Sequence, residues 1–452
     1  MAPDELRAAI ELFQVHERQQ RPRERDHALA VRDVRLAAEP ALPFRPVPAG
    51  AGASPPPTKS SPMNAMDTAF LAIVRANPHL RPRVGNPDEM RSNRLTQTLD
   101  VLKFRVTEPE PGIPEAIDGA VITALNEEAV ACAALANKGG INLIATYEAF
   151  GAKMHGAMRQ EIVFADHLAQ AGRPPGWLSI PLVLTSHTWE NAKNERSHQD
   201  PAMAEAMLGE PSHVSRVLFP DDWNSALESL VACYRTRGQV WTLVVPKSDV
   251  PEVLSAEQAT QLLANGALEL ERAGGDPRRA RVVLTAVGAY QLAAALRASE
   301  RLGEREIAHS VVYVIEPGRF RRPRSPGEAR HVAQADVMPR LWPPEVEARL
   351  LVSHTRPETM LGVLAPIHAS RRCAGLGFVN AGGTLDLDGL LFVNRCSWAH
   401  CVDAVADLLG IERRRLLESK EIEALDDQRS LEGVIVGTDR AMAGSRDVRC
   451  VA

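Results

Sequence analysis

The sequence predicts an α/β protein of two three-layer units, each a parallel sheet covered by helices on both faces, behind an N-terminal linker arm. Three observations predict it. Short β-rich runs such as INLIATY, WLSIPLVLT and VWTLVVP are bounded by Pro, Gly or Asp, as buried strands are. Amphipathic stretches of helical length alternate with these runs, the pattern of strand–helix–strand crossovers. The alternation breaks at ERAGGDPRRA (271–280) and then resumes, so the 452 residues read as two such units.

Residues 4–19 space Leu6, Ile10, Leu12 and Phe13 as a helix would, and an arginine-rich stretch follows. Residues 39–62 (EPALPFRPVPAGAGASPPPTKSSP) read as an extended or disordered linker with too little apolar surface to fold alone. A short helix is expected near Met66–Ala76. We take residues 1–85 as the arm, 86–275 as the first unit and 276–452 as the second. In the first unit, AIDGAVITALNEEAVACAALAN is a strand or turn leading into a helix of small residues. INLIATYEAF, WLSIPLVLT, SRVLFP and VWTLVVP are strand-like, and DWNSALESLVACYRTRG and SAEQATQLLANG are helices. The second of these opens on a Ser-x-x-Gln capping pattern. In the second unit ARVVLTAVG, a long helix, HSVVYVIEP, EARLLVSH, LGFVNAGG and LLFVNR continue the alternation.

Composition narrows the function classes. A net charge of −5 with 45% hydrophobic and 24% charged residues gives no global pull toward nucleic acid or an anionic membrane. No apolar run approaches the ~20 residues of a membrane span, and the N-terminus lacks a secretory pattern. Cys132, Cys233, Cys373, Cys396, Cys401 and Cys450 form no Cys-x-x-Cys pair, which suits a reducing, cytoplasmic setting. Phosphate-loop, dinucleotide-loop, zinc-protease and serine-elbow motifs are absent. CSWAHC (396–401) has the wrong spacing for a common zinc site and reads as a packed helix with two buried thiols, so no metal ligand is expected in this chain.

The stretch TSHTWENAKNERSHQDP (185–201) is odd for a loop, with two histidines, an acid after a tryptophan and several amides. Polar loops at strand ends are where α/β folds often keep chemistry. Taken in order, NPDEMRSNRL (86–95), ALNEEAV (124–130), TYEAF (146–150) and SHTWENAKNERSHQDP (186–201) resemble the thiamine-diphosphate-dependent phosphoketolases of xylulose 5-phosphate and fructose 6-phosphate, relatives of the transketolases. The resemblance extends back through VRDVRL (31–36) and the Pro-rich linker, and forward to LGFVNAGGTLDLDGLLFVNR (376–395). It implies that the first unit is a pyrimidine-binding domain and the second a transketolase C-terminal domain. The family's first domain, which grips the cofactor diphosphate through Mg²⁺ with Gly-Asp-Gly and a downstream Asn, has no counterpart in this sequence.

The resemblance also assigns roles. Glu127 falls where the family carboxylate meets the cofactor's N1′ atom; phosphoketolases have Ser-Glu-His there, transketolases Arg-Glu-His, and this chain Asn126-Glu127-Glu128. Read alone, Glu127 is a solvated acid at a helix start. Tyr147 and Phe150 match the pocket aromatics, and as neighbours on one helical face they equally suit an ordinary core pair. His198, in Ser-His-Gln-Asp-Pro, matches the histidine over the thiazolium that handles substrate hydroxyls, and Asn194 matches an asparagine that hydrogen-bonds substrate. His187 is either a substrate contact or a satisfied loop histidine. Asn191 and Lys193 stand where phosphoketolases carry the Gln and His that dehydrate the intermediate, a departure that favours ketol chemistry of the wider superfamily. Ser92 and Arg94, and the basic cluster Arg319–Arg324, are candidates for a substrate phosphate or else solvated surface.

The expectation is therefore one subunit of a split enzyme that cleaves or transfers a two-carbon ketol unit of a sugar phosphate. Its cofactors would be thiamine diphosphate and Mg²⁺, with the Mg²⁺ ligands on a separate partner subunit. The alternative is a non-catalytic scaffold or regulatory chain that pairs with a full-length relative. Either reading implies a hetero-oligomer or dimer and an exposed apolar face on the isolated chain.

Overall fold

The computed structural model describes residues 2–18, 33–47, 58–87, 89–191, 194–273, 280–368 and 372–428. Lys193, the arginine-rich stretch, the middle of the Pro-rich linker and most of the ERAGGDPRRA break lie outside them.

The first sheet has eight strands: β1 (Pro82–Gly85), β2 (Phe104–Arg105), β3 (Glu115–Ala116), β4 (Val121–Ile122), β5 (Ile141–Tyr147), β6 (Ile180–Thr185), β7 (Ser215–Leu218) and β8 (Val240–Val244). They lie in the order β3-β2-β4-β1-β5-β6-β8-β7, and every pairing is parallel. The central strands β5, β6 and β8 are buried along their whole length, which is why they read as unbroken apolar runs. The second sheet has five strands: β9 (Ala267–Ala273), β10 (Val282–Val287), β11 (His309–Val314), β12 (Ala348–Ser353) and β13 (Arg372–Leu376), in the order β9-β11-β10-β12-β13.

Four details differ from expectation. The second sheet is mixed, because β9 runs antiparallel to β11. Since β9 precedes residue 275, we propose that the second unit begins at Gly266, the left-handed cap (φ 81°) that ends the helix Ala256–Asn265. LLFVNR falls in a helix, Leu387–Val393, capped by the Asp386 side chain, and β13 ends at Leu376 so that LGFVNAGG leads out of it. The arm is no loose linker where it is described. Leu36, Leu42 and Phe44 pack on the main core. Asn77 accepts the backbone N–H groups of Ala37 and Ala38, and the Asn224 side chain brackets Arg45. Arg45 also stacks 3.8 Å over Trp223 and pairs with Glu252. An extended Pro-rich segment makes few bonds to itself, so it settles where another element's side chains satisfy its backbone. The helix expected at 66–76 starts earlier, at Pro62, because Ser61 caps it and Pro suits the first turn.

Local signals act elsewhere too. Ser255 and Gln258 form the expected capping box; Asn126, not anticipated as a cap, caps the helix Glu127–Leu135. The two units share one continuous core. A buried network joins them: Arg216 donates to Glu316, which also contacts His331, while Arg324 and the Ser212 N–H donate to Glu328. Burial alone would raise the Glu328 carboxyl, but these donors outweigh it and hold it at about 2. An unfolded glutamate titrates near about 4.3. Glu328 therefore adds stability above that value, and this is lost as pH falls toward about 2. The urea midpoint should drop across that window, and Arg324→Ala should flatten the drop.

Candidate functional site

Strand C-termini of both sheets converge on one region, the place where open α/β sheets bind ligands. β5 ends in Tyr147 and runs into the short helix Glu148–Gly151, which carries Phe150. β6 ends at the loop 186–201, and β8 leads to Lys247. A cavity of about 190 Å³ opens there, lined by Asn93, Glu127, Thr146, Tyr147, Phe150 and Lys153.

Glu127 stands at the first turn of its helix with a side chain only 12% exposed, and Lys153 Nζ lies 3.1 Å from its Oε1. Its neighbour Glu128 is exposed. The Tyr147 and Phe150 rings lie nearly parallel, with centroids 6.2 Å apart and planes at 12°. His198 presents its ring edgewise to Phe150 at 4.7 Å, and its Nδ1 lies 2.8 Å from the Ser197 hydroxyl. Ser92 bonds to the Tyr147 hydroxyl at 2.9 Å. Glu127, Tyr147 and Phe150, distant in sequence, therefore line one space, and Ser92 and His198 contact its aromatic wall.

The other candidates are placed differently. Asn194 is exposed at the loop tip. Asn191 is buried, and its amide donates to the carbonyls of Ser186, His187 and His198, so it staples the loop instead of facing the cavity. His187 is buried too, edge-on to His354 at 4.8 Å and to Tyr290 at 5.5 Å. Lys193 lies outside the described residues. Arg94 is exposed, with a left-handed backbone (φ 62°). Ser186 (φ 44°) and Glu195 (φ 56°) share that costly conformation, so left-handed non-glycine residues mark both segments beside the cavity. In the basic cluster, Arg319 donates to the carbonyls of Leu263 and Ala264, Arg321 to that of Leu208, and Arg324 to those of Gly209 and Glu210. Three of its arginines thus brace the joint between units.

Three features escaped sequence reading. Lys247 sits over the Tyr147 ring at 5.3 Å, where burial lowers its pKa and Glu190 opposes that. Glu190 is tied to the Tyr290 hydroxyl at 2.6 Å and to the Lys247 and Ser248 N–H groups. Glu148, His187 and His354 form a buried trio of the kind that ligates metals. Both Glu148 oxygens already accept hydrogen bonds from His354, and Oε2 takes two more from Thr188, so the carboxylate is satisfied within the protein, while the buried His187 Nδ1 has no hydrogen-bond partner. The segments holding Glu148, His187 and Glu190 stood out in the sequence, but only the fold brings those residues to Lys247, Tyr290 and His354.

The cavity suits the pyrimidine half of thiamine diphosphate: an aromatic face, a carboxylate on the wall, and the buried Asn93 Oδ1, which has no hydrogen-bond partner. The sequence lacks the Gly-Asp-Gly that would hold the diphosphate and Mg²⁺.

Residues 64–236 match the profile of the D-xylulose 5-phosphate/D-fructose 6-phosphate phosphoketolase family. Among curated proteins, a probable phosphoketolase of Nocardia farcinica is 31% identical over 201 residues, covering 43% of this chain and 24% of that protein. One from Bradyrhizobium diazoefficiens is 30% identical over 220 residues, covering 45% of this chain and 27% of that protein. The match thus spans about a quarter of those relatives' length. Among solved structures, a transketolase from Leishmania mexicana superposes with a TM-score of 0.61 at 14% identity, covering 82% of this chain and 47% of that one. A chain described as a split gene transketolase, inactive beta4 tetramer, superposes with a TM-score of 0.50 at 16% identity, covering 78% of this chain and 99% of that one. The fold is transketolase-like.

Proposed function

We propose, from a phosphoketolase-like sequence over residues 64–236 on a transketolase-like fold, that this chain is one subunit of a split thiamine-diphosphate enzyme. The complex would cleave or transfer a two-carbon ketol unit of a phosphorylated sugar, and a partner subunit would supply the diphosphate and Mg²⁺ site. The observation that carries this reading is the meeting of Glu127, Tyr147 and Phe150 around one cavity, with His198 edge-on to Phe150. The split-gene transketolase chain, matched over 99% of its own length, supports the subunit division. Leu125, also at the cavity, is 90% exposed, as a residue awaiting a partner surface would be.

Bound thiamine diphosphate supplies a carbanion nucleophile for the ketol carbonyl. Each residue then has a task. Glu127 holds a proton at the ring nitrogen through a charge-assisted hydrogen bond, with Lys153 as its counter-ion until the ring arrives. Tyr147 and Phe150 orient the ring and exclude water. Asn93 Oδ1 accepts from an amino group. His198, steadied by the Ser197 hydroxyl, moves protons at substrate hydroxyls. Lys247, over the Tyr147 ring and near enough to Arg94 to feel its charge, offers positive charge to an anionic substrate. Because Asn191 serves the loop and neither it nor Lys193 reproduces the family's Gln and His, ketol chemistry common to both classes is the reading, with no preference for acyl-phosphate formation.

The test is affinity capture of the tagged chain from native lysate, followed by calorimetric titration of whatever co-purifies with thiamine diphosphate and Mg²⁺. A companion chain bearing Gly-Asp-Gly and a downstream Asn is expected, with cofactor binding by the pair and not by either chain alone. Recovery of this chain by itself, or of a full-length relative in a pair whose cofactor binding ignores Glu127→Ala, would favour the scaffold alternative.

A further inference from the structure

Glu148 is buried at the turn between Tyr147 and Phe150, yet it does not line the cavity. Its carboxylate faces the other way. His354, the first residue after β12 of the second sheet, places Nε2 at 3.0 and 3.1 Å from the two carboxylate oxygens. Thr188 donates to Oε2 from its backbone N–H at 2.9 Å and its hydroxyl at 2.8 Å. One carboxylate thus ties together the turn carrying the aromatic wall, the start of the loop carrying His198, and the second unit.

His354 is itself held tightly. Its carbonyl accepts from Trp189 Nε1 at 3.1 Å, its ring lies 5.5 Å from Phe219, and His187 closes the remaining side. Gly288 makes this approach possible: with φ at 103°, a Cβ there would meet His354 Cβ at 2.8 Å and Gln291 Oε1 at 2.6 Å. Burial opposes ionisation of Glu148, but the His354 imidazole, its hydrogen bonds and the Thr188 donors outweigh this and keep the carboxyl below its ordinary value. An ionised carboxylate accepts all these bonds at once and so fixes their geometry.

We propose that Glu148 is a positioning residue through which the second unit, by way of His354, sets the distance between the Tyr147–Phe150 wall and His198. This rests on the reading of that cavity as the cofactor site. It assigns the second unit a direct part in shaping a site whose lining, among the described residues, comes from the first unit.

The experiment uses the full chain labelled at histidine Cε1, with the His198 NMR signal assigned by His198→Gln. Ring currents from Phe150 displace that signal, which therefore reports the wall-to-loop distance. Glu148→Ala and His354→Asn should both move the His198 signal. Glu148→Gln, which can still accept from Thr188 and donate to the imidazole, should largely keep it in place. Asp166→Asn, which breaks the separate Asp166–His213 contact, should leave it unmoved. An unmoved His198 signal in folded Glu148→Ala or His354→Asn overturns the proposal, as does an equal shift in Asp166→Asn. If Glu148→Ala does not fold, His354→Asn decides, since it keeps the Thr188 donors; if neither folds, the cluster serves stability alone and the proposal fails. No cofactor or partner enters the measurement, so failure here leaves the cofactor reading intact, and a failed cofactor titration leaves this result standing.

Discussion

Glu127→Gln in the assembled enzyme should lower turnover by about 10²–10⁴-fold, the range for losing a positioned proton-handling group. Glutamine nearly matches the shape and keeps one acceptor oxygen, so the cavity should survive while the charge that makes the hydrogen bond strong is lost. The side chain is 12% exposed, and partner coverage would shield it further, which is where charge-assisted bonds count most. Glu128→Gln is the control, one position along the same helix start but exposed. A merely solvated pair of helix-start acids would respond alike in both variants. Steady-state rates should instead show a deep loss for Glu127→Gln and near-normal rates for Glu128→Gln. Equal effects, or none, would remove Glu127 from the mechanism.

The largest stability effect is expected at Arg216. Its guanidinium donates Nε to Glu316 Oε1 at 2.8 Å and lies 3.7 Å over the Trp241 ring, while the Glu316 side chain is 1% exposed. Burial pushes the Glu316 carboxyl up, but Arg216 and His331 outweigh it and hold it far below the usual carboxylate range. Arg216→Met keeps apolar contact with Trp241 and strands a buried charge, which costs about 3–5 kcal/mol. The double variant Arg216→Met/Glu316→Gln removes that charge and should recover a good part of the loss, because residues in one network are not additive. Chemical denaturation measures both. A single variant within about 0.5 kcal/mol of the parent would show that the pair is solvated and of little weight, as surface pairs are.

Both effects depend on separate segments meeting, and that separates what was legible in the sequence from what was not. Strand and helix alternation was legible because it is local: unbroken apolar runs such as IPLVLT, and the Ser255–Gln258 capping box, act over a few residues. Four short stretches in order were enough to point to Glu127, Tyr147 and Phe150, which line one cavity, and to His198, which lies edge-on to Phe150. His187 and Asn191, in the same loop, were equally visible, but their types did not reveal that they face inward. The cluster Arg319–Arg324 read as either a phosphate contact or solvated surface, because a run of charge does not show which carbonyls it will meet.

By itself, then, the sequence determined the α/β class, the order of most elements, the Ser255–Gln258 capping box and three residues, Glu127, Tyr147 and Phe150, that line the cavity. The tertiary structure alone decided that β9 joins the second sheet in antiparallel fashion, that the Pro-rich arm is strapped to the core, that Lys247 sits over Tyr147, and that Glu148 meets His354 across 206 residues. The physical reason is range. Periodicity and capping are written within one or two turns of chain, whereas a buried carboxylate's partner is chosen by whichever donor the packed sheets bring to it.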